Sequence, residues 1–283
     1  MNTREELAGF KPRSEYFIGI DSDGTVFDSM NIKHLKAFIP AALKVWDLGN
    51  EAGNFSKIME HINLYSQNRG INRFTGLLAA FEMQKAKTGA GLFDTAPLRE
   101  FTRNSSALSN SALEAWMKKN PHPSLEKVYQ WSLEADRLFE EHTRGLLPFT
   151  NVKPAIKFMA EKADIMVISS ASGKGLDKDW EYSGLSQYTA LIAGQELGSK
   201  KEQLSLGSSG KYPGEKVLMI GDAPGDLEAA SAVGASFYPI TPGREEDSWN
   251  LLLKEALPKF FAGTYRGEYE ERLTAEFRNS LAP

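Results

Sequence analysis

Two aspartates two residues apart, Asp21 and Asp23, leave the apolar run Tyr16-Phe17-Ile18-Gly19-Ile20 and are followed by Gly24 and Thr25. The run has the length and composition of a buried strand that releases charge at its C-terminal end. Carboxylates this close repel and raise one another's pKa, so the pair favours a bound cation or a shared proton. Gly24 lets the backbone turn away from the strand without steric cost. Asp-x-Asp is also a common feature of acidic turns. Asp177-Lys178-Asp179 repeats it with no apolar strand in front and reads as a solvated helix.

Three further segments give the first pair its meaning. Ile165-Met166-Val167-Ile168 ends in the hydroxyls of Ser169 and Ser170. Lys200 follows Gly198-Ser199, with Lys201 beside it as an equally charged rival. Val217-Leu218-Met219-Ile220 runs into Gly221-Asp222-Ala223-Pro224-Gly225-Asp226, a second strand that ends in paired acids. Strands that each deliver polar groups at their C-terminal ends define a site at the carboxyl edge of a parallel sheet, where open α/β sheets bind ligands.

With these four segments in this order the chain resembles the haloacid dehalogenase-like hydrolases, a superfamily dominated by magnesium-dependent phosphatases. The resemblance covers residues 15–28 and 150–240. It implies an α/β fold: a three-layer, Rossmann-like core with a mostly parallel sheet of about five strands and a helical cap inserted after the first strand. Within the superfamily, the phosphoglycolate phosphatase-like and phosphoglucomutase-like group places its cap after the first motif. Dehalogenases and phosphonate hydrolases usually lack an acid at the position of Asp23, which favours phosphoryl-ester chemistry here.

Hydrolysis of a phosphate monoester needs a nucleophile in line with the leaving oxygen, neutralised equatorial oxygens and a proton for the leaving alkoxide. Asp21 is the candidate nucleophile, forming an aspartyl-phosphate. Asp23 is the candidate acid, then base. Lys200 would neutralise phosphoryl charge and orient Asp21. Ser169 and Ser170, with the amides that open the next helix, would hold the phosphoryl oxygens. The resemblance implies a Mg2+ site on the Asp21 carboxylate, the Asp23 backbone carbonyl and Asp222. Asp226 would bind the ion directly or through water; it also suits the N-terminus of the helix that follows. His34, His61, His122 and His142 lack metal-ligand spacing.

The elements that must position these groups can be read in outline. The core is expected over residues 1–28 and 148–240, the cap over 29–147, and a C-terminal helical extension over 241–283. Core strands are expected at Tyr16 to Ile20, Ile165 to Ser169, Ala190 to Ala193, Val217 to Ile220 and Ser236 to Ile240. Helices are expected at Lys153 to Lys162, about Gly175 to Tyr182, from Lys200, and at Asp226 to Val233. In the cap, Ile32, Leu35, Phe38 and Ile39 have helical spacing until Pro40 breaks or kinks the helix. Phe74, Leu77, Leu78 and Phe81 mark another helix, and Pro123 opens a long one through Phe139. Trp249, Leu252 and Leu253 share one face of the extension. Arg69 and Arg73, in a turn before a helix, are candidates to hold an anionic substrate group.

Bulk properties exclude several classes. In 283 residues with a net charge of -4 there is no basic footprint for nucleic acid. No apolar stretch approaches a bilayer span. The absence of cysteine removes disulfides and thiolate metal sites. With no apolar signal core at the N-terminus, the cytoplasm is the expected compartment. Gly207-Ser208-Ser209-Gly210-Lys211-Tyr212 has neither the glycine spacing nor the hydroxyl of a phosphate-binding P-loop and reads as a surface turn. The expected function is a Mg2+-dependent phosphatase acting on a small phosphorylated metabolite. A phosphomutase of the same fold and a non-catalytic phosphate- or metal-binding module are the rivals, and the oligomeric state is open.

Overall fold

The computed structural model describes residues 2–89, 91–143 and 145–281. They form two compact units, one from the described residues of Met1–Ser29 and Gly145–Ala282, the other from those of Met30–Arg144.

The first unit is α/β. Its strands are β1 (Tyr16–Ile20), β2 (Ala163–Ile168), β3 (Leu191–Ala193), β4 (Val217–Gly221) and β5 (Ser236–Pro239). They pair in the order β3-β2-β1-β4-β5, and every pair is parallel. The chain builds outward from β1 through β2 to β3, then crosses back to lay β4 and β5 on the other side. Strand order therefore reverses between β1 and β4, and that switch point is where such sheets open a crevice.

Both sheet faces are covered, which is why the strands read as unbroken apolar runs. Ile18, Ile20, Ile165, Val167, Leu218 and Ile220 fill one core with residues of the helices Val152–Ala160 and Gly173–Tyr182. Phe17, Met166, Ile168, Val217 and Met219 fill the other with Leu204 of the helix Lys200–Ser208 and Ala229 and Ala230 of the helix Pro224–Ala232.

The C-terminal extension is part of this unit. Its helices are Glu245–Leu251, a wider-turned π-helical stretch Leu252–Ala256, Leu257–Phe261 and Glu268–Ser280. Trp249, Leu252, Leu257, Phe260 and Tyr265 belong to the first core, and Phe277 to the second. Leu253 is only half-buried at the edge of that face, because the π-turn changes the angle between successive side chains.

The second unit is all helical. Its longest helices are Ala52–Leu64, Arg73–Thr88 and Pro123–His142. Two shorter ones, Ala96–Asn104 and Asn110–Lys119, add Leu98, Phe101 and Leu113 to a core built around Phe55, Phe74, Phe81 and Trp131. Pro40 does not break the chain's helical course. A π-helical stretch, Ile32–Phe38, leads directly into Ile39–Trp46, with the Ile39 N–H donating to the His34 carbonyl five residues back. The wider turn accommodates a ring that would clash with the carbonyl four residues earlier in a regular helix.

Candidate active site

The site begins at the end of β1. The Asp21 N–H continues the ladder to the Ile220 carbonyl at 2.9 Å. Gly24, at φ +78°, turns the chain so that its N–H reaches the Phe27 carbonyl at 2.9 Å, while the Val26 and Phe27 amides both return to the Ser22 carbonyl. This closed turn aims Asp21 and Thr25 at one point. The Thr25 hydroxyl donates to Asp222 Oδ1 at 2.8 Å and also lies 3.3 Å from Asp21 Oδ2. A single proton thus ties the ends of β1 and β4 together.

Three buried carboxylates meet here. Oxygens of Asp21, Asp222 and Asp226 lie within 4.8 Å of one another. Asp226 sits in the first turn of the helix Pro224–Ala232, and its Oδ2 accepts the Ala223 N–H at 3.1 Å. It therefore satisfies the helix N-terminus and faces the acid cluster at once. Gly221 makes this close approach possible: a Cβ there would stand 2.3 Å from Asp226 Cγ.

Lys200 enters from the helix Lys200–Ser208. The Ser199 hydroxyl accepts the Glu202 N–H at 3.3 Å and Glu202 accepts the Ser199 N–H at 2.9 Å, a reciprocal cap that fixes where the helix starts. From that start Lys200 Nζ reaches Asp21 Oδ1 at 3.0 Å and Asp226 Oδ1 at 2.7 Å. Lys201 is exposed. The equal charges of the two lysines are thus told apart by which side of the first turn faces the acids.

Burial pushes the Asp21 carboxyl well above its ordinary range; Lys200 pulls it down, and Asp226 and Asp222 push it further up. Asp226 is raised for the same reason, with Lys200 opposing. Burial alone would lower the Lys200 pKa, but the three neighbouring carboxylates outweigh that and raise it. The directions have one cause: one partly buried ammonium faces three buried carboxylates, so Lys200 holds its charge and the acids are short of a cation. An all-oxygen donor set with that deficit suits a hard divalent ion such as Mg2+. Asp21, Asp222 and Asp226 are the only such trio of acids or histidines among the described residues.

Asp23 is half-buried, and its Oδ1 accepts the Ser29 hydroxyl at 2.7 Å. Asp179, expected to be a solvated helix residue, is half-buried on the helix Gly173–Tyr182. Burial raises its pKa, and the nearby charge of Asp23 raises it further. Ser169 follows β2, which pairs with β1 in the register Ile20 to Val167. It is buried, and its hydroxyl accepts the Ala171 N–H at 3.1 Å. Ser170 is exposed, and the N-cap of the next helix is Ser172 rather than Ser170.

The two cap arginines are engaged within the helical unit. Arg73 donates to Asp136 and to the Ser132 hydroxyl, and its guanidinium lies over the Phe38 ring. Arg69 is buried and donates to the Leu64 carbonyl at 2.9 Å. Lys211, in the glycine- and serine-rich turn, donates to the Leu7 and Leu206 carbonyls.

Three residues central to the geometry carry no sequence signal of their own. Thr25 bridges two acids. The Ser22 hydroxyl accepts the Trp180 indole N–H at 3.0 Å, pinning the turn between Asp21 and Asp23. Gln203 is fully buried: its Oε1 accepts the Ser169 N–H, and its Nε2 faces the carbonyls of Ser169, Gly194 and Gly198 at 2.8–3.0 Å. It joins the loop that carries Ser169 to the loop that leads into Lys200. A glutamine one turn after a motif lysine, on the buried side of a helix, was the only available hint.

No family model matches the chain, and no curated protein matches it. Among solved structures it is similar to a protein described as a predicted phosphoglycolate phosphatase from Haemophilus somnus 129PT, with 15% identity, 81% of this chain and 86% of that chain covered, and a TM-score of 0.48. It is similar to a haloacid dehalogenase-like hydrolase from Xanthomonas campestris, with 16% identity, 96% of both chains covered and a TM-score of 0.44. A third, described as the HAD-hydrolase YfnB from Bacillus subtilis bound to magnesium, has 16% identity, covers 80% of this chain and 86% of its own, and scores 0.44. The functional reading rests on the geometry of the site itself.

Proposed function

We propose that this chain is a haloacid dehalogenase-type, Mg2+-dependent phosphatase acting on a small phosphorylated metabolite. The observation that carries the reading is the convergence of buried Asp21, Asp222 and Asp226 with the partly buried Lys200 at the switch point of the sheet. A structural ion pair needs one acid; three acids on one lysine leave a charge deficit that a cation and a phosphoryl group together would use. In this reading Asp21, Asp222 and Asp226, with the Asp23 backbone carbonyl, hold the Mg2+. Bound there, the ion would offset negative charge on the transferring phosphoryl group.

The chain's own groups divide the reaction as follows. Lys200 offsets part of the burial penalty on the ionised Asp21 and attracts the phosphoryl oxygens. The Ser169 hydroxyl donates to one of those oxygens. A carboxylate oxygen of Asp21 attacks phosphorus, the phosphorus–ester oxygen bond breaks, and the departing oxygen takes the proton held on Asp23. Asp23, oriented by Ser29, then removes a proton from water as the water oxygen attacks phosphorus. The bond from phosphorus to Asp21 breaks, and inorganic phosphate leaves. The cytoplasm, where small phosphorylated metabolites are found, belongs to the same proposal.

The test is p-nitrophenyl phosphate hydrolysis with Mg2+, with EDTA, and by Asp21→Asn. Release should need the metal and fall at least about a thousandfold in the variant, as expected when a covalent nucleophile is removed. Turnover that survives the substitution unchanged would discard the role given to Asp21. Free phosphate rather than an isomerised sugar phosphate as product separates hydrolysis from mutase chemistry.

A further inference from the structure

The turn after β1 satisfies its backbone groups partly within itself and partly on neighbouring core elements. The Asp21 amide goes to Ile220, the Gly24, Val26 and Phe27 amides close within the turn, and the Val26 carbonyl accepts the Phe149 N–H at 3.0 Å. The Thr25 carbonyl reaches into the C-terminal extension. It accepts the indole N–H of Trp249 at 2.8 Å, a partner 224 residues further along the chain. Trp249 lies on the helix Glu245–Leu251, the first element of the C-terminal extension, and is fully buried.

That helix is itself fixed to the sheet. The Tyr238 hydroxyl, from β5, donates to the carbonyl of Ser248 at 2.6 Å, and the Ser248 hydroxyl accepts the Thr241 N–H at 3.1 Å. A chain of contacts therefore runs from β5 through Ser248 and Trp249 to the backbone of Thr25. The same residue's hydroxyl donates to Asp222 and lies beside Asp21. Trp180 holds the turn from another element through Ser22. Two indoles from distant parts of the sequence thus set the plane of a turn that has no regular structure of its own.

We propose that Trp249 is a positioning residue for the acid cluster: the C-terminal extension completes the active site by holding Thr25, and through it the orientation of Asp21 and Asp222. Without the indole N–H the buried Thr25 carbonyl would be left unpaired, and the turn would shift to find a donor. Misplacing reacting groups by about 1 Å can cost up to a hundredfold in rate, whereas the groups that grip phosphate, Ser169 and Lys200, stand on other elements and would stay in place. The proposal rests on the reading of Asp21 as the reacting carboxylate.

The test compares Trp249→Phe with Tyr265→Phe. Tyr265 is in the same extension and equally buried, and its hydroxyl donates to the Phe237 carbonyl at 2.7 Å, away from the turn. Both variants are assayed well below their unfolding midpoints, for kcat and KM on p-nitrophenyl phosphate and for amide hydrogen exchange in residues 21–27 and 163–168. Trp249→Phe should lower kcat about tenfold with KM nearly unchanged, and speed exchange in residues 21–27 but not in 163–168. Tyr265→Phe should lower the unfolding midpoint and leave kcat and local exchange as they are. Equal faster exchange in both segments of Trp249→Phe, or equal loss of kcat in both variants, would reduce Trp249 to a packing role and overturn the proposal. A wild-type chain that turns over no phosphate ester would sink the hydrolytic reading. The exchange comparison would still decide whether Trp249 holds the turn.

Discussion

Two fully buried glutamines, one in each unit, satisfy their amides in different ways. Gln203, in the α/β unit, bonds backbone groups of two separate loops, one at Ser169 and one at Gly194 and Gly198. Gln84, in the helical unit, donates to Thr88 one turn further along its own helix, and its Oε1 is without a partner among the described residues. The pattern extends to their neighbours. Asn63 and Ser66 donate to carbonyls four residues back, whereas Thr25 and Asp222, or Lys200 and Asp226, meet across long stretches of sequence. Groups that close on their own helix stabilise or bend that helix. Groups that close on one another from different strand ends make a place whose charge is set by the fold, and that is where chemistry is expected.

The strongest test of this contrast is a pair of neighbours. Lys200→Met should abolish turnover, because three buried carboxylates lose their one ammonium; Lys201→Met should leave kcat and KM within about twofold, as an exposed lysine outside the cluster. Loss of activity in both variants would mean that helix charge, not position, is what matters. The glutamines come next. Gln203→Met keeps the volume but orphans several buried carbonyls, and should cost about 2–4 kcal/mol in denaturant unfolding. Gln84→Met removes an amide whose oxygen is already unpartnered, and should change stability by less than about 1 kcal/mol in either direction. Equal losses would erase the distinction between the two glutamines.

The smallest effect lies on the surface of the helical unit. Glu134 is held down to about 2 by hydrogen bonds from Arg137 and Lys44. A carboxyl whose folded pKa is depressed adds stability above its unfolded value, and that stability fades as pH falls from 4.5 towards about 2. Melting curves of the wild type and Glu134→Gln should therefore differ slightly at neutral pH and converge as the solution is acidified. Added salt should narrow the gap further. A difference that grows on acidification would contradict the sign.

Much of the core could be read from the chain because a parallel sheet covered on both faces demands continuous apolar strands, and each strand here ends where its polar residues begin. β1 spans the residues expected from sequence, and the other four strands differ from expectation only at their ends. At Pro40 a break is absent because a π-helical stretch takes up a constraint that normally ends a helix. The partner of Arg73, Asp136, lies far along the chain and could not be read from the turn that carries the arginine. Asp179 lacked the strand that announces a site and still lies in the field of Asp23.

What the sequence determined by itself was the order of chemistry-bearing groups and the strand ends that present them, since periodicity and residue type are local properties. What only the tertiary structure decided was which groups share one buried volume. It separated Lys200 from Lys201, made Asp226 both cap and cluster member, placed Thr25 between two acids, and brought Trp249 of the extension to the turn of the first motif. The reason is physical. Hydrogen bonds and charge–charge contacts act over a few ångströms of space, and the distance along the chain between their partners carries no trace of them.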